Sequence, residues 1–323
     1  MFAMAQTITT PPRGLFRCRV LDNRSICLDH YLLSLELDSF PPSCAGQFIQ
    51  LRCGEVPPIL APTELPWPGG GWPQATGPEL LGRQSLLRRP ISLAGRRDLP
   101  GGKVELLLIY HVVGVGTAWL TQVSIGQELD IIGPLGQGFP APPDGTAAAL
   151  VGGGVGIPPM MYLAEQLRRQ GRPATAFVGA RTRAVLPLTI DPSEPPSQAG
   201  WPGLCTAEFA ACGVETVVAT DDGSLGVTGF VSAALEQWLG QKSPRPEELI
   251  IYACGPLGMM KAVSAVAAAG GYRCYVALER HMACGMGACQ SCIVKVRTDR
   301  RGGWKYALAC KDGTVFDAQE LVW

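Results

Sequence analysis

The chain has 323 residues, with 27 Lys and Arg balanced by 27 Asp and Glu, and hydrophobic residues make up 47% of it. This length provides for two or three hydrophobic cores and excludes a single small module. A formal net charge of zero without a basic run argues against a nucleic-acid partner.

Residues 1–10 lack the basic start and long apolar core of a signal peptide. No apolar run reaches the roughly 20 residues that span a bilayer. Twelve cysteines could form a secreted disulfide framework, but such frameworks are typical of short chains. We therefore expect a cytoplasmic protein with reduced thiols and no membrane partner.

Residues 14–144 are predicted to form an antiparallel β-barrel, because many short strands occur there with few helices. Alternating polar and apolar residues indicate strands at 16–21, 30–37, 47–52, 104–113 and 128–132. Residues 54–87 are crowded with proline and glycine, which predicts an inserted loop without regular structure.

Residues 145–274 are predicted to form an α/β domain, because strands and helices alternate there. The predicted strands are 147–151, 174–179, 215–220 and 249–253, and the predicted helices are 158–170, 229–239 and 258–269. Such alternation indicates a parallel sheet with helices on both faces.

Two glycine turns follow strands of this predicted sheet and are interpreted as one nucleotide site. Their candidate binding residues are Gly153, Gly154, Gly156, Cys254, Gly255 and Pro256. Glycine lets a nucleotide approach the backbone, and the following helix offers free N–H groups to phosphates. Loops at the carboxyl ends of parallel strands line the ligand crevice. A glycine turn before a helix is also ordinary, and G-x-G-x-x-G is absent.

Two stretches of the predicted barrel contain the residue types that a flavin needs. The first runs from Arg88 to Leu93, and the second runs from Ile109 to Thr117. A flavin requires an apolar wall, donors for its ring edge, and cations or N–H groups for its pyrophosphate. Either stretch taken alone is more typical of surface charge or a barrel turn.

Residues 275–323 contain the most informative motif of the chain, a set of four cysteines. Three have the C-x4-C-x2-C spacing that wraps a loop around a 2Fe-2S cluster, and a fourth follows later: Cys284, Cys289, Cys292 and Cys310. The alternatives are buried free thiols or a structural zinc site, although zinc loops usually present two C-x2-C pairs. The spacing predicts a small iron–sulfur domain that depends on its cluster for stability.

Together these motifs resemble one known family. The chain contains, in this order, R-P-I-S, Y-x-V-V-G-x-G-T, V-G-G-G-V-G-I-P-P, T-D-D-G-S, C-G-P and A-C-G-M-G-A-C-x-x-C. This series resembles the ferredoxin-reductase-like superfamily and, within it, the electron transfer subunits of NAD-dependent dihydroorotate dehydrogenases. The resemblance covers residues 16–316, and the conjunction is more specific than any single motif.

The resemblance implies FAD on the barrel, NAD on the α/β domain and a 2Fe-2S cluster in the C-terminal domain. By similarity, the residues that hold FAD are Arg89, Pro90, Ile91, Ser92, Ile109, Tyr110, His111, Gly116 and Thr117, and the four cysteines hold iron. The family usually has Arg and Lys where this chain has His111 and Val115. Cationic support for the FAD phosphates is therefore weaker here, or comes from Arg88 or Arg181.

The implied function is electron transfer in pyrimidine biosynthesis. A nicotinamide exchanges two electrons and a cluster exchanges one, and a flavin converts between them. By similarity, an FMN-containing catalytic subunit oxidises dihydroorotate, and its electrons pass through the cluster and FAD to NAD+ within a heterotetramer. No catalytic side chain is required, although Ser92 is a candidate donor near the flavin edge.

Two groups of alternatives stay open. A sulfide dehydrogenase subunit and an NADH-dependent ferredoxin oxidoreductase would have the same cofactors. A non-enzymatic regulatory protein would bind zinc through the four thiols instead. Asp221 and Asp222 are interpreted as a loop turn rather than acid–base catalysts.

Overall fold

The computed structural model describes residues 13–54, 87–299 and 302–323. The predicted inserted loop, apart from its terminal residues Gly54 and Leu87, lies outside the described residues.

In the described part of the chain, six antiparallel strands close a barrel, as the sequence predicts. They are β1 (Gly14–Cys27), β2 (His30–Leu37), β3 (Phe48–Leu51), β4 (Arg89–Asp98), β5 (Val104–His111) and β6 (Glu128–Leu135). Around the barrel the order is β1, β2, β5, β4, β3 and β6, and β6 pairs again with β1. Alternate residues of β2 and β5, such as Leu33, Leu35, Leu106 and Leu108, are fully buried and form the core.

A short helix, α1 (Val115–Leu120), follows β5 within the second flavin-type stretch. The sequence interpretation did not identify it, because six residues are too few to show a helical periodicity. The backbone N–H groups of Val113 and Gly114 donate to Thr117 Oγ1 at 2.9 and 3.1 Å, so this hydroxyl holds the start of the helix.

A second sheet has helices on both faces, again as predicted. Its strands are β7 (Ala147–Gly153), β8 (Ala174–Ala180), β9 (Glu215–Thr220), β10 (Val227–Thr228), β11 (Leu249–Cys254) and β12 (Arg273–Ala277). They are parallel in the order β10, β9, β8, β7, β11 and β12. The central strands are apolar along their whole length because they are covered on both sides.

The helices of this sheet divide between two hydrophobic cores. They are α2 (Ile157–Arg169), α3 (Ala207–Ala210), α4 (Val231–Lys242) and α5 (Leu257–Ala269). Side chains of α2 and α3 belong to the core that continues into the barrel. Side chains of α4 and α5 belong to the core that continues into the C-terminal segment. No helix in residues 13–54, 87–299 and 302–323 is long and apolar enough to cross a membrane.

The C-terminal segment is joined to the sheet by a strand that the sequence interpretation did not anticipate. The hairpin β13 (Ile293–Arg297) and β14 (Trp304–Leu308) is followed by β15 (Val315–Asp317). This last strand pairs antiparallel with β12 and forms the edge of the otherwise parallel sheet. The cysteine segment is therefore fixed to the α/β domain through backbone hydrogen bonds.

Side-chain hydrogen bonds also join the three parts of the molecule. The Tyr162 hydroxyl of α2 donates to the Ser43 carbonyl of the barrel at 2.8 Å, and Gln166 Oε1 accepts from the Ala45 N–H at 3.0 Å. Gln137, which follows β6, donates through its amide to the Lys311 carbonyl at 3.1 Å. The barrel is thus bonded to both of its neighbours.

Candidate cofactor sites

The four predicted cluster cysteines meet as two pairs of thiols. The N–H of Cys289 donates to Cys284 Sγ at 3.4 Å, and the N–H of Cys310 donates to Cys292 Sγ at 3.5 Å. Within the described residues, no three or more His, Cys, Asp or Glu side chains are placed to hold one metal ion. Two pairs of thiolates are the donor set of a binuclear centre, in which each iron takes two protein ligands.

The loop between the first two cysteines directs backbone N–H groups toward sulfur. Cys284 Sγ accepts from the N–H groups of both Met286 and Cys289 at 3.4 Å. Gly285 and Gly287 have φ values of +69° and +91°, a region that favours glycine. The glycines therefore let the chain curl around the sulfur atoms, and the N–H groups stabilise negative charge there.

The two pairs differ in their exposure. A hydrogen bond from the Ser291 hydroxyl, 3.2 Å away, together with backbone N–H groups, lowers the pKa of the exposed Cys289 thiol to about 6. Burial and the neighbouring Cys292 raise the pKa of the Cys310 thiol to about 12. The first pair thus lies toward solvent, and the second pair is anchored in the core between the hairpin and the sheet.

The first flavin-type stretch forms the start of β4, beside β3. Ser92 lies opposite Phe48, and Pro90 lies opposite Gln50. Ile91 points into the barrel core. Because side chains alternate along a strand, Pro90 and Ser92 lie on the outer face. Arg89 is half-buried, and its guanidinium donates to the Leu87 carbonyl at 2.8 Å.

The second flavin-type stretch places its residues on two sides of β5. Tyr110 lies in the barrel core, where its hydroxyl donates to Asn23 Oδ1 at 3.1 Å and burial raises its pKa. Ile109 and His111 lie on the outer face, and the His111 ring stacks on His30 with centroids 4.5 Å apart. The structure therefore brings only part of this stretch to the face that carries Pro90 and Ser92.

Gly116 and Thr117 lie in α1, where Gly116 is buried and Thr117 holds the start of the helix. Arg88, a candidate source of cationic support for the FAD phosphates, donates through Nη1 to the Asp130 carbonyl at 2.9 Å. Arg181 is exposed after β8.

The two glycine turns of the predicted nucleotide site touch each other. Cys254 pairs with Gly152 across β11 and β7. A Cβ added to Gly156 would lie 2.1 Å from the Cys254 carbonyl oxygen, and one added to Gly255 would lie 3.0 Å from the Gly153 carbonyl oxygen. A Cβ added to Gly153 would lie 3.2 Å from Pro256 Cδ. These glycines therefore serve close packing of one turn on the other.

Gly154 differs from its neighbours in the same turn. It has a φ of +53°, and a Cβ added there would meet no atom within 4 Å. The turn also contacts β5 of the barrel. Gly154 is thus the open position of the turn, beside the strand that carries Ile109 and His111. Burial raises the pKa of the neighbouring Cys254 thiol to about 12, as for an inert structural cysteine.

A cavity of about 620 Å³ adjoins the carboxyl ends of β8 and β9, and its lining includes Cys27, Thr182, Arg183, Asp222 and Ser224. The Ser224 hydroxyl and N–H donate to Asp222 Oδ1, and these hydrogen bonds lower the pKa of the Asp222 carboxyl group. They also close the loop turn that the sequence predicts for Asp221 and Asp222. Thr182 and Arg183 were not singled out from the sequence. Their position directly after a parallel strand is the signal that could have identified them.

The barrel, the parallel sheet and the paired thiols together define the class of flavin and iron–sulfur reductases with a ferredoxin-reductase-like fold. Residues 279–322 match the iron–sulfur cluster binding domain of dihydroorotate dehydrogenase B, and residues 150–265 match an oxidoreductase NAD-binding domain. These matches support the predicted 2Fe-2S and NAD cofactors. The chain belongs to the family of dihydroorotate dehydrogenase B (NAD+) electron transfer subunits.

Family membership is shown by relatives that bear this name. The protein from Geobacillus thermodenitrificans is 40% identical over 73% of this chain and 80% of its own length. The protein from Fusobacterium nucleatum is 30% identical over 94% of this chain and 97% of its own length. The chain is thus an oxidoreductase subunit.

Solved structures show the same architecture. An NADH-dependent reduced ferredoxin-NADP oxidoreductase, described for flavin-based electron bifurcation, aligns with a TM-score of 0.70 at 25% identity over 95% of this chain and 90% of that chain. Phthalate dioxygenase reductase, described as modular for electron transfer from pyridine nucleotides to [2Fe-2S], aligns with a TM-score of 0.53 at 18% identity over 92% of this chain and 77% of that chain. The second likeness is one of fold alone.

Proposed function

We propose that this chain passes electrons from dihydroorotate oxidation, carried out by a partner subunit, through a 2Fe-2S cluster and FAD to NAD+ in pyrimidine biosynthesis. The observation that carries the proposal is a series of contacts that connects the three parts of the molecule. The nucleotide turn at Gly154 contacts β5, the outer face of β4 presents Pro90 and Ser92, and Gly285 of the cysteine loop packs on Gln50 of the adjacent β3. These contacts support an arrangement in which the nucleotide, flavin and cluster sites follow one another in the order that this transfer requires.

The bound flavin supplies the conversion between one-electron and two-electron transfer. The residues of the chain bind and orient the cofactors. Cys284, Cys289, Cys292 and Cys310 hold the iron, and the outer face of β4 supports the flavin ring, with the Ser92 hydroxyl as a donor at its edge. The turn at Gly154 and the loop at Gly255 receive the nicotinamide nucleotide beside that face.

The partner in this proposal is an FMN-containing catalytic subunit, and the assembly is a heterotetramer. The family name, electron transfer subunit, supports a catalytic partner. The exposed thiol of Cys289 and the side chain of Met286, which is 51% exposed, support entry of the partner's electrons at the cluster loop. The proposed location is the cytoplasm, where the thiolates that a cluster needs stay reduced.

The proposal is tested by affinity purification from native extract, followed by an assay with dihydroorotate and NAD+. We expect an FMN-containing subunit to co-purify and the complex to reduce NAD+ only when dihydroorotate is supplied. The isolated chain should contain FAD and two iron atoms and should oxidise NADH with an artificial acceptor. Purified protein with full iron and no flavin contradicts the proposal, and one zinc without sulfide would indicate the regulatory alternative.

A second candidate is an NADH-linked ferredoxin oxidoreductase subunit, which the 0.70 TM-score alignment favours. The two candidates differ in the electron donor and not in the cofactors. Reduction of NAD+ by reduced ferredoxin without dihydroorotate, together with a co-purifying subunit that lacks dihydroorotate activity, would establish the second candidate.

A further inference from the structure

Gln50 is a fully buried glutamine whose amide lacks hydrogen bonds. Its exposed fraction is 0%, and neither Nε2 nor Oε1 has a partner among the described residues. Buried polar groups almost always form hydrogen bonds, because a donor or acceptor that is removed from water without a partner costs its full desolvation energy. A fully buried amide without a partner among the described residues is therefore a candidate to bond a group other than a protein atom.

The register of the barrel places this side chain on the flavin side. Gln50 lies opposite Pro90, and Phe48 lies opposite Ser92. Ile49 and Leu51, the alternate residues of β3, belong to the barrel core. Since side chains of paired strands share a face, the Gln50 amide lies on the outer face with Pro90 and Ser92.

The same amide contacts the cluster loop. A Cβ added to Gly285 would lie 2.7 Å from Gln50 Cγ and 2.9 Å from Nε2. Gly285 is buried and directly follows Cys284. The glutamine thus packs against the peptide next to a cluster cysteine, and a Cβ at Gly285 would require the Gln50 side chain to shift.

We propose that Gln50 is a positioning residue between the flavin face and the cluster, and that its amide N–H donates to a sulfur atom of the cluster beside Cys284. The inference rests on the proposed function in that it requires a 2Fe-2S cluster at the four cysteines. Hydrogen bonds to cluster sulfur stabilise the reduced and more negatively charged state, so they raise the reduction potential. Gln50 accordingly keeps the cluster easier to reduce.

A second glutamine of the same segment supplies the matched control. Gln47 is 2% exposed. Its Oε1 accepts from the Cys44 N–H at 3.0 Å, and its Nε2 donates to the Gly136 carbonyl at 3.0 Å. The side-chain amide of Gln47 is therefore hydrogen-bonded within the barrel, whereas the side-chain amide of Gln50 has no hydrogen-bond partner among the described residues.

The test compares Gln50→Met, Gln50→His and Gln47→Met in the complete chain with its cofactors bound. The cluster potential is measured by a redox titration followed by electron paramagnetic resonance, and the flavin potential by absorbance. We expect Gln50→Met to lower the cluster potential and change the resonance of the reduced cluster, with iron content and flavin potential unchanged. Gln50→His, which keeps a ring N–H, should recover part of the shift, and Gln47→Met should leave the cluster potential at the wild-type value.

An unchanged cluster potential in Gln50→Met overturns the inference, and so does an equal shift in Gln47→Met. A shift of the flavin potential alone also overturns it, because the amide would then serve the flavin. Loss of iron from Gln50→Met, with iron retained in Gln47→Met, supports contact between Gln50 and the cluster. Equal loss of iron from both variants indicates a packing defect and overturns the inference. None of these readouts uses dihydroorotate, so failure of the proposed function is scored separately by the activity assay.

Discussion

A Cβ added to Gly156 would lie 2.1 Å from the carbonyl oxygen of Cys254. The nearest atoms to this added Cβ all belong to the backbone of Cys254 and Gly255, so no flexible side chain could move aside. The distance between β7 and β11 at their carboxyl ends depends on this contact, because the strands pair up to Gly152 and Cys254.

Replacing Gly156 with alanine is expected to destabilise the α/β domain and to weaken nucleotide binding. Overpacking of this kind costs about 1–3 kcal/mol. Thermal unfolding should occur at lower temperature, and NADH titration by fluorescence should give a higher Kd. Gly258→Ala is the matched control, because a Cβ there meets no atom within 4 Å and the position lies in α5. That change should be neutral or stabilising by up to about 1 kcal/mol, and an equal loss in both variants would contradict the role of the Gly156 contact.

The sequence predicted the features that depend on local pattern. The C-x4-C-x2-C spacing and the alternation of Val104, Leu106 and Leu108 are legible within a few residues. The same alternation, continued by two residues, places the Tyr110 side chain in the barrel core. What periodicity could not supply is contact between distant segments.

Two such contacts decide the arrangement of the cofactor sites. The antiparallel pairing of β15 with β12 depends on docking of the C-terminal segment, and β15 has only three residues, too few to show a period. The contact of Gln50 with Gly285 joins residues that are far apart in the chain. A single glutamine in a strand gives no signal of its partner, so only the folded structure identifies it.

Cys310→Ser is expected to remove the cluster and leave the flavin in place. Cys310 is buried and forms a pair with Cys292, and a serine hydroxyl is a poor substitute for a thiolate ligand of iron. Iron and acid-labile sulfide should be lost, whereas FAD content and NADH oxidation by a two-electron dye should persist. Cys212→Ser, at a half-buried thiol that follows α3, should retain the full iron content. Loss of FAD together with iron would mean that the barrel depends on the cluster for its fold.

Ser92→Ala is expected to slow electron transfer between NADH and FAD without loss of FAD. The hydroxyl lies on the outer face of β4, and removing one positioned donor at a reacting edge typically lowers a rate by about 10²–10³. Stopped-flow reduction of the bound flavin measures the step directly. Ser25→Ala, at an exposed position in β1, should keep the wild-type rate. A normal rate in Ser92→Ala would remove this residue from the proposed flavin site.

His30 is expected to make the barrel less stable in mild acid. Its ring is buried and stacked on His111, and its Nδ1 lies 2.8 Å from the Leu28 carbonyl. Burial lowers the pKa of His30 below 6.5, and the His111 ring acts in the same direction, against the Leu28 carbonyl and Asp29. The unfolded chain therefore binds this proton more readily, so stability is fully present above about pH 6.5 and declines as the pH falls toward the folded-state pKa.

Denaturant unfolding between pH 5 and pH 8, the mild-acid range around the unperturbed histidine pKa, measures this decline. His30→Gln should flatten the pH dependence, because the side chain no longer takes up a proton in either state. His281→Gln is the control, since His281 is exposed in the segment before the cluster cysteines. An identical slope in wild type and His30→Gln would show that the His30 and His111 stack does not govern the acid sensitivity of the barrel. A flattened slope in His30→Gln alone would assign the loss of stability to the protonation of one buried ring against its stacked neighbour.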